Sequence, residues 1–505
     1  MILYDSTVLD TLRASIHRQP LQIESLSMLK RTKIVATLGP STDKAGILEE
    51  LIRSGVNVVR LNFSHGSADD HRRRAKEVKE TARRLGKVVA VLGDLQGPKI
   101  RIAKFQNDKI ELKAGELFTL DSDLSSTAGD QHQVGLDYKA LPQDCQTGDV
   151  LLLDDGRMQL KVLSVEGTRV NTEVLLNGPL SNNKGINKQG GGLSAAALTD
   201  KDKRDILVAA ELDMDYVAVS FPRSAADLEE ARHLLQEAGS RAEIIAKIER
   251  AETVATDEAL DSLILASDGV MVARGDLGVE IGDAELIGVQ KKIINRAREL
   301  SRTVITATQM METMIKSPMP TRAEVFDVAN AILDGTDAVM LSAETAAGDF
   351  PVEVVRSMSD ICRGAEKHQS AKPTVTSITR RGERIDETIA RSAMYTANHL
   401  VGVKAIICLT ESGSTPRWMS RIRSGLPIYA LTRHDRTMRR MALYRGVEAM
   451  FFDATTLEDN RLNDEVIAGL KAKELLESGD LVILTRGANI GEHGGTNSMQ
   501  VLQVP

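Results

Sequence analysis

Cysteine is nearly absent from this chain: Cys145, Cys362 and Cys408 are the three in 505 residues, far apart and without the short spacings of zinc ligands. This excludes a disulfide-built scaffold and a cysteine metal centre, and it predicts reduced thiols in a cytoplasmic protein. No apolar run approaches the ~18 residues that a membrane span needs, so no membrane segment is expected. The stretch Met1–Lys30 contains Asp5, Asp10 and Glu24 and lacks the apolar core of a signal peptide. Leu9, Leu12 and Ile16 fit one face of a short helix there, expected to be an arm or a packing element. An excess of basic residues is also missing; the net charge of −7 argues against a general nucleic-acid binder. Low-complexity tracts and short internal repeats are absent. With 42% hydrophobic and 27% charged residues the composition is that of an ordinary globular protein, and the length implies roughly three domains.

What the chain does contain is a repeated unit. From Lys33 onward, short β-branched apolar runs end in polar or glycine-containing sequence and lead into amphipathic helical stretches. The runs are Ile34–Leu38, Val56–Leu61, Val88–Leu92, Tyr216–Ser220, Ile244–Ile248, Val270–Ala273, Val304–Thr308 and Ala338–Leu341. Near-continuous apolar strands in βα units are what a parallel sheet covered on both faces requires. Eight in series predict a (β/α)8 barrel (TIM barrel) of the α/β class, with its active site at the C-terminal strand ends. Residues 98–196 interrupt the series with alternating apolar and polar residues and the turn signals Asp155-Gly156, Glu166-Gly167 and Asn177-Gly178-Pro179. This predicts an all-β domain inserted after the third strand on the active-site side, where a lid belongs. Lys184-Gly185 and Gly190–Gly192 form its expected return hinge.

The expected layout is an N-terminal extension (1–29), a barrel in two parts (30–97 and 197–372), the inserted β domain (98–196) and a C-terminal open α/β domain (373–505). Lys372–Ser377 reads as the linker. The last domain has expected strands at Ile406–Leu409, Ile428–Leu431, Ala449–Phe452 and Leu481–Leu484, and a final one within Met499–Val504.

The run Ile244–Glu249 is apolar, yet it places Lys247 and Glu249 two residues apart on one face of a strand. Buried charges are costly unless paired, and the pair by itself fits a structural ion pair as well as a catalytic site. The other strand ends favour a site, because they carry Arg60, Asn62, Ser64, His65, Asp94, Ser220, Arg274-Gly275-Asp276, Thr308 and Ser342. A purely structural barrel has no need of so many polar groups on one rim. Glu249 and Asp276 close adjacent strands, and with few nitrogen or sulfur ligands nearby they suit a hard divalent cation, Mg²⁺ or Mn²⁺. A lysine beside such an ion makes sense if both face an anion, most simply a phosphoryl or carboxylate group. Arg60 and the backbone of Gly275-Asp276, opening a helix, would add anion contacts. Thr308 is a candidate for orienting or relaying a proton.

Five blocks, taken together and in order, resemble the pyruvate kinase family. They are Arg-Leu-Asn-Phe-Ser-His-Gly (60–66), Ile-Ile-Ala-Lys-Ile-Glu-Arg (244–250), Ala-Arg-Gly-Asp-Leu-Gly-Val-Glu (273–280), Ala-Thr-Gln-Met (307–310) and Leu-Ser-Ala-Glu-Thr (341–345). The likeness runs from about Lys33 to the C-terminus and is closest to the bacterial type. It implies phosphoryl transfer from phosphoenolpyruvate to ADP, giving pyruvate and ATP in the last step of glycolysis. By resemblance, Lys247 stabilises the transferring phosphoryl, Glu249 and Asp276 hold Mg²⁺, and Arg60, Ser220, Gly275, Asp276 and Thr308 contact phosphoenolpyruvate. Asn62, Phe63, Ser64, His65, Arg101 and Lys184 match nucleotide-side positions. Water ordered by Thr308 and Ser342 is the expected route for protonating the enolate.

Many relatives use K⁺ at positions matching Asn62, Ser64, Asp94 and the backbone of Leu95. Here Lys99 stands where those relatives carry glutamate, so activity independent of K⁺ is expected. In the last domain Thr410, Ser412, Gly413, Ser414 and Thr415 match the family's sugar-phosphate effector loop and form a phosphate nest. Ser414 departs from the arginine common there, which leaves the effector, a phosphorylated sugar or nucleotide, unidentified. Arg417, Arg421, Arg423, Arg433, Arg436, Arg439 and Arg440 make the region basic, and Trp418 is expected either to pack or to cover the effector. The resemblance further implies a homotetramer. Two other classes share parts of the pattern: a Mg²⁺-dependent lyase or aldolase acting through pyruvate enolate, and a non-catalytic sugar-phosphate-binding regulator.

Overall fold

The computed structural model describes residues 30–367, 382–489 and 491–505. The expected N-terminal helix and the linker Lys372–Ser377 lie outside the described residues. In chain order the first strands are β1 (Lys33–Thr37), β2 (Val58–Asn62) and β3 (Ala90–Asp94). Then come β4 (Lys109–Leu112), β5 (Leu117–Asp121), β6 (Gln133–Gly135), β7 (Val150–Leu153), β8 (Met158–Glu166), β9 (Arg169–Val174), β10 (Gly178–Ser181) and β11 (Ile186–Lys188). The series resumes with β12 (Tyr216–Val219), β13 (Glu243–Ile248), β14 (Gly269–Ala273), β15 (Thr303–Ala307) and β16 (Ala338–Leu341). The last set is β17 (Val403–Leu409), β18 (Ile428–Thr432), β19 (Val447–Phe451), β20 (Leu481–Gly487) and β21 (Thr496–Gln503).

β1, β2, β3 and β12–β16 close into one parallel barrel in the order β1-β16-β15-β14-β13-β12-β3-β2. Side-chain alternation divides its core into two layers. Val35, Val58, Leu92, Ala218, Ile245 and Met271 fill the interior, while Val59, Val91, Val217, Ile244, Val270 and Val304 pack under the helices. Each such side chain contributes about 1.5–3 kcal/mol by burial, which is why both faces of these strands are apolar. The helices are started by local chemistry: Ser67 with Asp70, Thr199 with Asp202 and Thr321 with Glu324 form reciprocal capping boxes.

The insertion is a six-stranded sheet ordered β11-β7-β8-β9-β5-β6 with the separate pair β10-β4. Its own core includes Phe118, Leu120, Leu151, Leu160 and Val170. Asp202, fully buried, ties together the two connections to the barrel. Its carboxylate accepts from Gly97 N at 3.1 Å and from Thr199 N at 2.9 Å.

The C-terminal sheet runs β19-β18-β17-β20-β21, with β21 antiparallel to β20. It lies beneath the N-terminal ends of the barrel strands. Lys33 Nζ donates to Val447 O at 2.7 Å, Arg439 pairs with Asp215 at 2.8 Å, and Arg421 forks onto Asp337. Arg436 reaches Asp213 and Arg440 lies 3.6 Å from Glu243. Much of the basic stretch 417–440 is therefore clamped on the base of the barrel. Among the described residues no helix is long and apolar enough to cross a membrane.

Several strands start or stop away from expectation, among them β21, which begins at Thr496, and β12, which stops at Val219 and leaves Ser220 just past it; two further shifts also matter to the rim. β3 runs to Asp94 instead of ending at Leu92, because β2 pairs with it in the register Asn62 opposite Asp94. β15 stops at Ala307, so Thr308 falls just past the strand.

Candidate active site

The C-terminal strand ends and the inserted domain enclose a cavity of about 440 Å³. Arg60, Asn62, Ser64, Asp94, Leu95, Lys99, Arg101, Lys184, Ser220, Lys247, Glu249, Asp276 and Thr308 all line it. Alternation on β2 explains which neighbours do not. Positions 58, 60 and 62 turn inward, so 59, 61 and 63 turn toward the helices. Phe63 is buried in that outer layer, its ring 4.6 Å from His71, and its carbonyl accepts Lys201 Nζ at 2.6 Å. Phe63 does not line the cavity, and its N–H donates to Asp94 O at 2.9 Å. His65 is exposed beside the cavity, and Ser342 does not line it; the Ser342 N–H donates to Glu344.

Lys247 is the centre of the charge array. Its Nζ donates to Ser220 Oγ at 2.7 Å and lies 2.8 Å from Glu249 Oε1 and 3.4 Å from Asp94 Oδ1. Burial opposes its charge, but Asp94 and Glu249 outweigh burial and raise the ammonium above its ordinary pKa. Asp94 is shared: Arg60 Nε binds its other oxygen at 2.6 Å, and Arg60 Nη1 also donates to Thr37 Oγ1 at 3.0 Å. Burial alone would raise the Asp94 carboxyl; Lys247 and Arg60 overcome it and hold the group below the usual range. Ser220 is fixed by donating to Leu95 O at 2.7 Å.

Glu249 is fully buried, and burial pushes its carboxyl up to about 7 against the opposing pull of Lys247. Its Oε2 accepts Phe221 N at 2.7 Å, while Oε1 has no hydrogen bond among the described residues. Burial likewise raises Asp276, again with Lys247 opposing. A buried carboxylate oxygen whose one close partner is the Lys247 ammonium, beside a second carboxylate, fits a hard divalent cation. No group of three or more His, Cys, Asp or Glu gathers to hold a metal among the described residues. A cation on this pair would therefore complete its shell from water and substrate oxygens, the usual habit of Mg²⁺.

Thr308 has φ +65°, and Gln309 and Met311 are also left-handed at +55° and +61°. A β-branched residue in that region is a strained outlier, costing of order 1–3 kcal/mol. Arg274 holds it there: Nη2 donates to Thr308 O at 2.6 Å, and Nη1 is anchored on Asp327 at 2.7 Å. The twist turns the Thr308 hydroxyl toward Gly275, whose N–H it accepts at 2.9 Å. Gly275 and Asp276 stand in the first turn of the helix Arg274–Ile281, as expected.

Asp154 and Asp155 belong to the site although the sequence marks only a turn there. They form the β7–β8 hairpin tip with φ +51° and +55°, line the cavity, and Asp154 pairs with Lys184 at 2.7 Å. Glu280, buried at the end of the same helix as Asp276, is a second residue that motif reading passes over. Lys99 also lies in the charge array: burial lowers its pKa first, then Arg101 and Lys247, with Asp276 and Asp94 opposing.

In the last domain Thr410, Ser412, Ser414 and Thr415 line a smaller cavity of about 50 Å³ together with Arg433 and Arg486. Gly413 is left-handed (φ +81°), caps the helix Ser414–Ser420 and donates to Thr410 Oγ1 at 2.9 Å. Trp418 does not line this cavity; its ring packs under the guanidinium of Arg384 at 5.6 Å.

Comparison with known proteins agrees with this geometry. Residues 29–355 match the family model for the pyruvate kinase barrel domain, and 387–502 match the model for the pyruvate kinase alpha/beta domain. A pyruvate kinase of Haemophilus influenzae is 60% identical over 462 residues, covering 91% of this chain and 96% of its own length. Pyruvate kinase II of Salmonella typhimurium is 58% identical over 476 residues, 94% of this chain and 99% of its own. The solved structure of a pyruvate kinase from Cryptosporidium parvum superposes with a TM-score of 0.89 at 33% identity, covering 100% of both chains. Fold, rim chemistry and relatives converge: the chain belongs to the pyruvate kinase family.

Proposed function

We propose that the chain transfers the phosphoryl group of phosphoenolpyruvate to ADP, giving pyruvate and ATP, at the cavity between the barrel rim and the inserted domain. The observation that carries this reading is Lys247, an ammonium held within 2.8 Å of both Ser220 and Glu249 and open to the same cavity as Asp276 and Thr308. Phosphoryl transfer needs positioning and charge stabilisation more than covalent help. In the reaction the bond from phosphorus to the enol oxygen breaks, a β-phosphate oxygen of ADP bonds to phosphorus, and the enolate takes a proton at carbon. Lys247 and Arg60 would bear on the phosphoryl oxygens as their charge redistributes. Thr308, with the Gly275 amide behind it, would orient the substrate and hold the water that delivers the proton. Lys184 and Arg101 approach from the insertion side, where the ADP phosphates would lie; Asn62, Ser64 and His65 flank them. Glu249 and Asp276 would hold Mg²⁺ or Mn²⁺, which supplies positive charge to the phosphoryl and enolate oxygens when bound.

K⁺-independence follows from Lys99. Its ammonium acts on Asp94 and Asp276, and the Leu95 carbonyl already accepts Ser220 Oγ. A side-chain cation at this post replaces a monovalent ion, so turnover should persist in K⁺-free buffer; loss of most activity there would sink the idea. For the loop Thr410–Thr415 we propose a phosphorylated sugar or nucleotide as activator. A homotetramer is proposed on exposed apolar side chains such as Phe326, Met319 and Val401, to be checked by light scattering.

The deciding assay is pyruvate release from phosphoenolpyruvate with Mg²⁺, with and without ADP. Release should require ADP. ADP-independent release would instead favour a lyase, and none at all would sink the enzyme reading.

A further inference from the structure

A third cleft lies at the junction between the base of the barrel and the C-terminal domain. It shares no lining residue with either cavity described above. Its volume of about 20 Å³ exceeds the ~10–15 Å³ one water requires, and it opens to solvent. Arg31 and Arg298 reach it from the barrel, Arg423 and Arg445 from the C-terminal domain, and Gly335 and Gly446 leave its floor bare.

Gly335 ends the helix Arg322–Asp334 with φ +101°. A Cβ there would stand 2.7 Å from Arg298 Nη1 and 3.4 Å from Arg423 Nη2, so the two guanidinia converge on one point. Two guanidinia at such range repel; the carbonyls ending the helix Arg322–Asp334 offset part of that repulsion, and an anion would offset more. The carboxylates of Asp337 and Glu366 are already engaged. Asp337 accepts Arg421, Val304 N and Arg445 N, and Glu366 accepts Arg31 N, Thr32 N and Thr32 Oγ1. Arg298 donates only to Arg421 O at 2.9 Å, and Arg423 only to the carbonyls of Leu333 and Asp334 at 3.1 Å each. Neither forms an ion pair among the described residues, and Arg423 Nε is buried without a partner. Burial, then Arg423 and Arg421, push the Arg298 guanidinium down to about 10. Arg298 and Arg423 are thus two guanidinia at the junction with no carboxylate partner among the described residues.

We infer that this cleft is an anion site for a phosphate group, gripped by Arg298 and Arg423 and bridging the barrel to the C-terminal domain. Guanidinium forks match phosphate oxygens in geometry and charge. The cleft opens to solvent, so a phosphate would be gripped at its mouth and the remainder of a phosphorylated metabolite would lie outside. An anion there would tighten the junction, since each domain supplies part of the grip.

The test uses the full chain in phosphate-free buffer, with inorganic phosphate as the probe and thermal unfolding as the readout. Wild type is compared with Arg298→Gln/Arg423→Gln, with Arg298→Glu, and with Ser414→Asp, which places a carboxylate in the other phosphate-loop candidate. Phosphate at ten times its dissociation constant should raise the midpoint by about 1 °C or more in wild type and in Ser414→Asp. Any contribution from the catalytic cavity is common to all variants and cancels. The double variant should lose this increment, and Arg298→Glu should lose it too, because its own carboxylate then neutralises Arg423. Arg298→Glu keeps the test valid if the double variant fails to fold. No increment in wild type, or a full increment in either Arg298 variant, overturns the proposal.

Discussion

Glu280 offers a test of how the inserted domain is seated on the rim. It is 4% exposed, near the end of the helix that begins with Gly275 and Asp276. Its Oε2 accepts Ala251 N at 2.8 Å, its Oε1 accepts Asn187 Nδ2 at 3.3 Å, and its carbonyl accepts Gly190 N at 3.0 Å. One residue therefore joins the Asp276 helix, the turn after β13 and the exit of the insertion. Burial pushes the carboxyl up to about 7, from an ordinary value near 4.5. The Ala251 amide and Arg250 oppose that rise, Glu252 adds to it, and Asp276 lies on the same helix. Because the folded value lies above the unfolded one, the folded state binds the extra proton between these limits. The associated stability is complete below about 4.5 and is lost as pH rises through about 7, at about 1.4 kcal/mol per unit and about 3 kcal/mol in all.

Glu280→Gln stays neutral throughout and should remove that slope, while Glu280→Ala should cost about 1–3 kcal/mol for each donor left unpaired, at every pH. The assay is hydrogen exchange by mass spectrometry on peptides covering 186–193 and 249–254, corrected for the chemical rate and run without divalent cations. In wild type the local opening constant should rise about tenfold per pH unit from 5 to 7, and in Glu280→Gln it should stay flat. Parallel pH profiles for the two proteins would refute the reasoning, because they would mean that Glu280 does not titrate in this window.

Three further outcomes follow from the same geometry. Lys247→Met should lower kcat by about 10²–10³-fold with a much smaller change in phosphoenolpyruvate binding, measured by steady-state kinetics and direct titration; equal losses would count against a transition-state role. Gly97→Ala should impair both stability and kcat, since φ is +67° and the new Cβ would lie 2.7 Å from the Cβ of Ser220, the residue that positions Lys247. An unchanged melting temperature and kcat would show that the Gly97 turn does not constrain Ser220. Asp337→Ala strands the buried guanidinium of Arg421 and should destabilise the chain by about 3–5 kcal/mol in urea, with substrate KM unchanged.

The barrel was readable because near-continuous apolar runs need a sheet covered on both faces, and eight βα units in series are the number that closes one. The rim was readable because polar residues at those ends serve no packing need. What escaped depends on contacts distant in sequence. Asp154-Asp155-Gly156 announces a turn, but nothing local says that the hairpin overhangs Lys184 and the rim. The arginines of 417–440 read as an effector patch or a solvated face until the barrel base supplies Asp213, Asp215, Glu243 and Asp337 as partners. Phe63 is a different case. Period-two alternation already places it with Val59 and Leu61, away from Arg60 and Asn62, and its position in the motif hides that simpler fact. Thr308 belongs to neither class, since a left-handed threonine is not written in any local propensity and exists only because Arg274 holds its carbonyl.

The two ends of the barrel show what separates a structural buried charge from a chemical one. At the base, Asp337 has both oxygens filled by Arg421 and by the amides of Val304 and Arg445, and Asp215 is filled by Val91 N and Arg439. Such groups have both oxygens hydrogen-bonded and nothing left to offer a ligand. At the rim, Asp94 Oδ1 and Glu249 Oε1 are as deeply buried, lie close to Lys247, and make no hydrogen bond. At Glu249 the desolvation is not fully recovered and burial raises the carboxyl, whereas at Asp94 the charges of Lys247 and Arg60 more than offset it. Stability carried by the base permits this incompleteness at the rim, where a cation on Glu249 and Asp276 would offset the burial that raises both carboxyls.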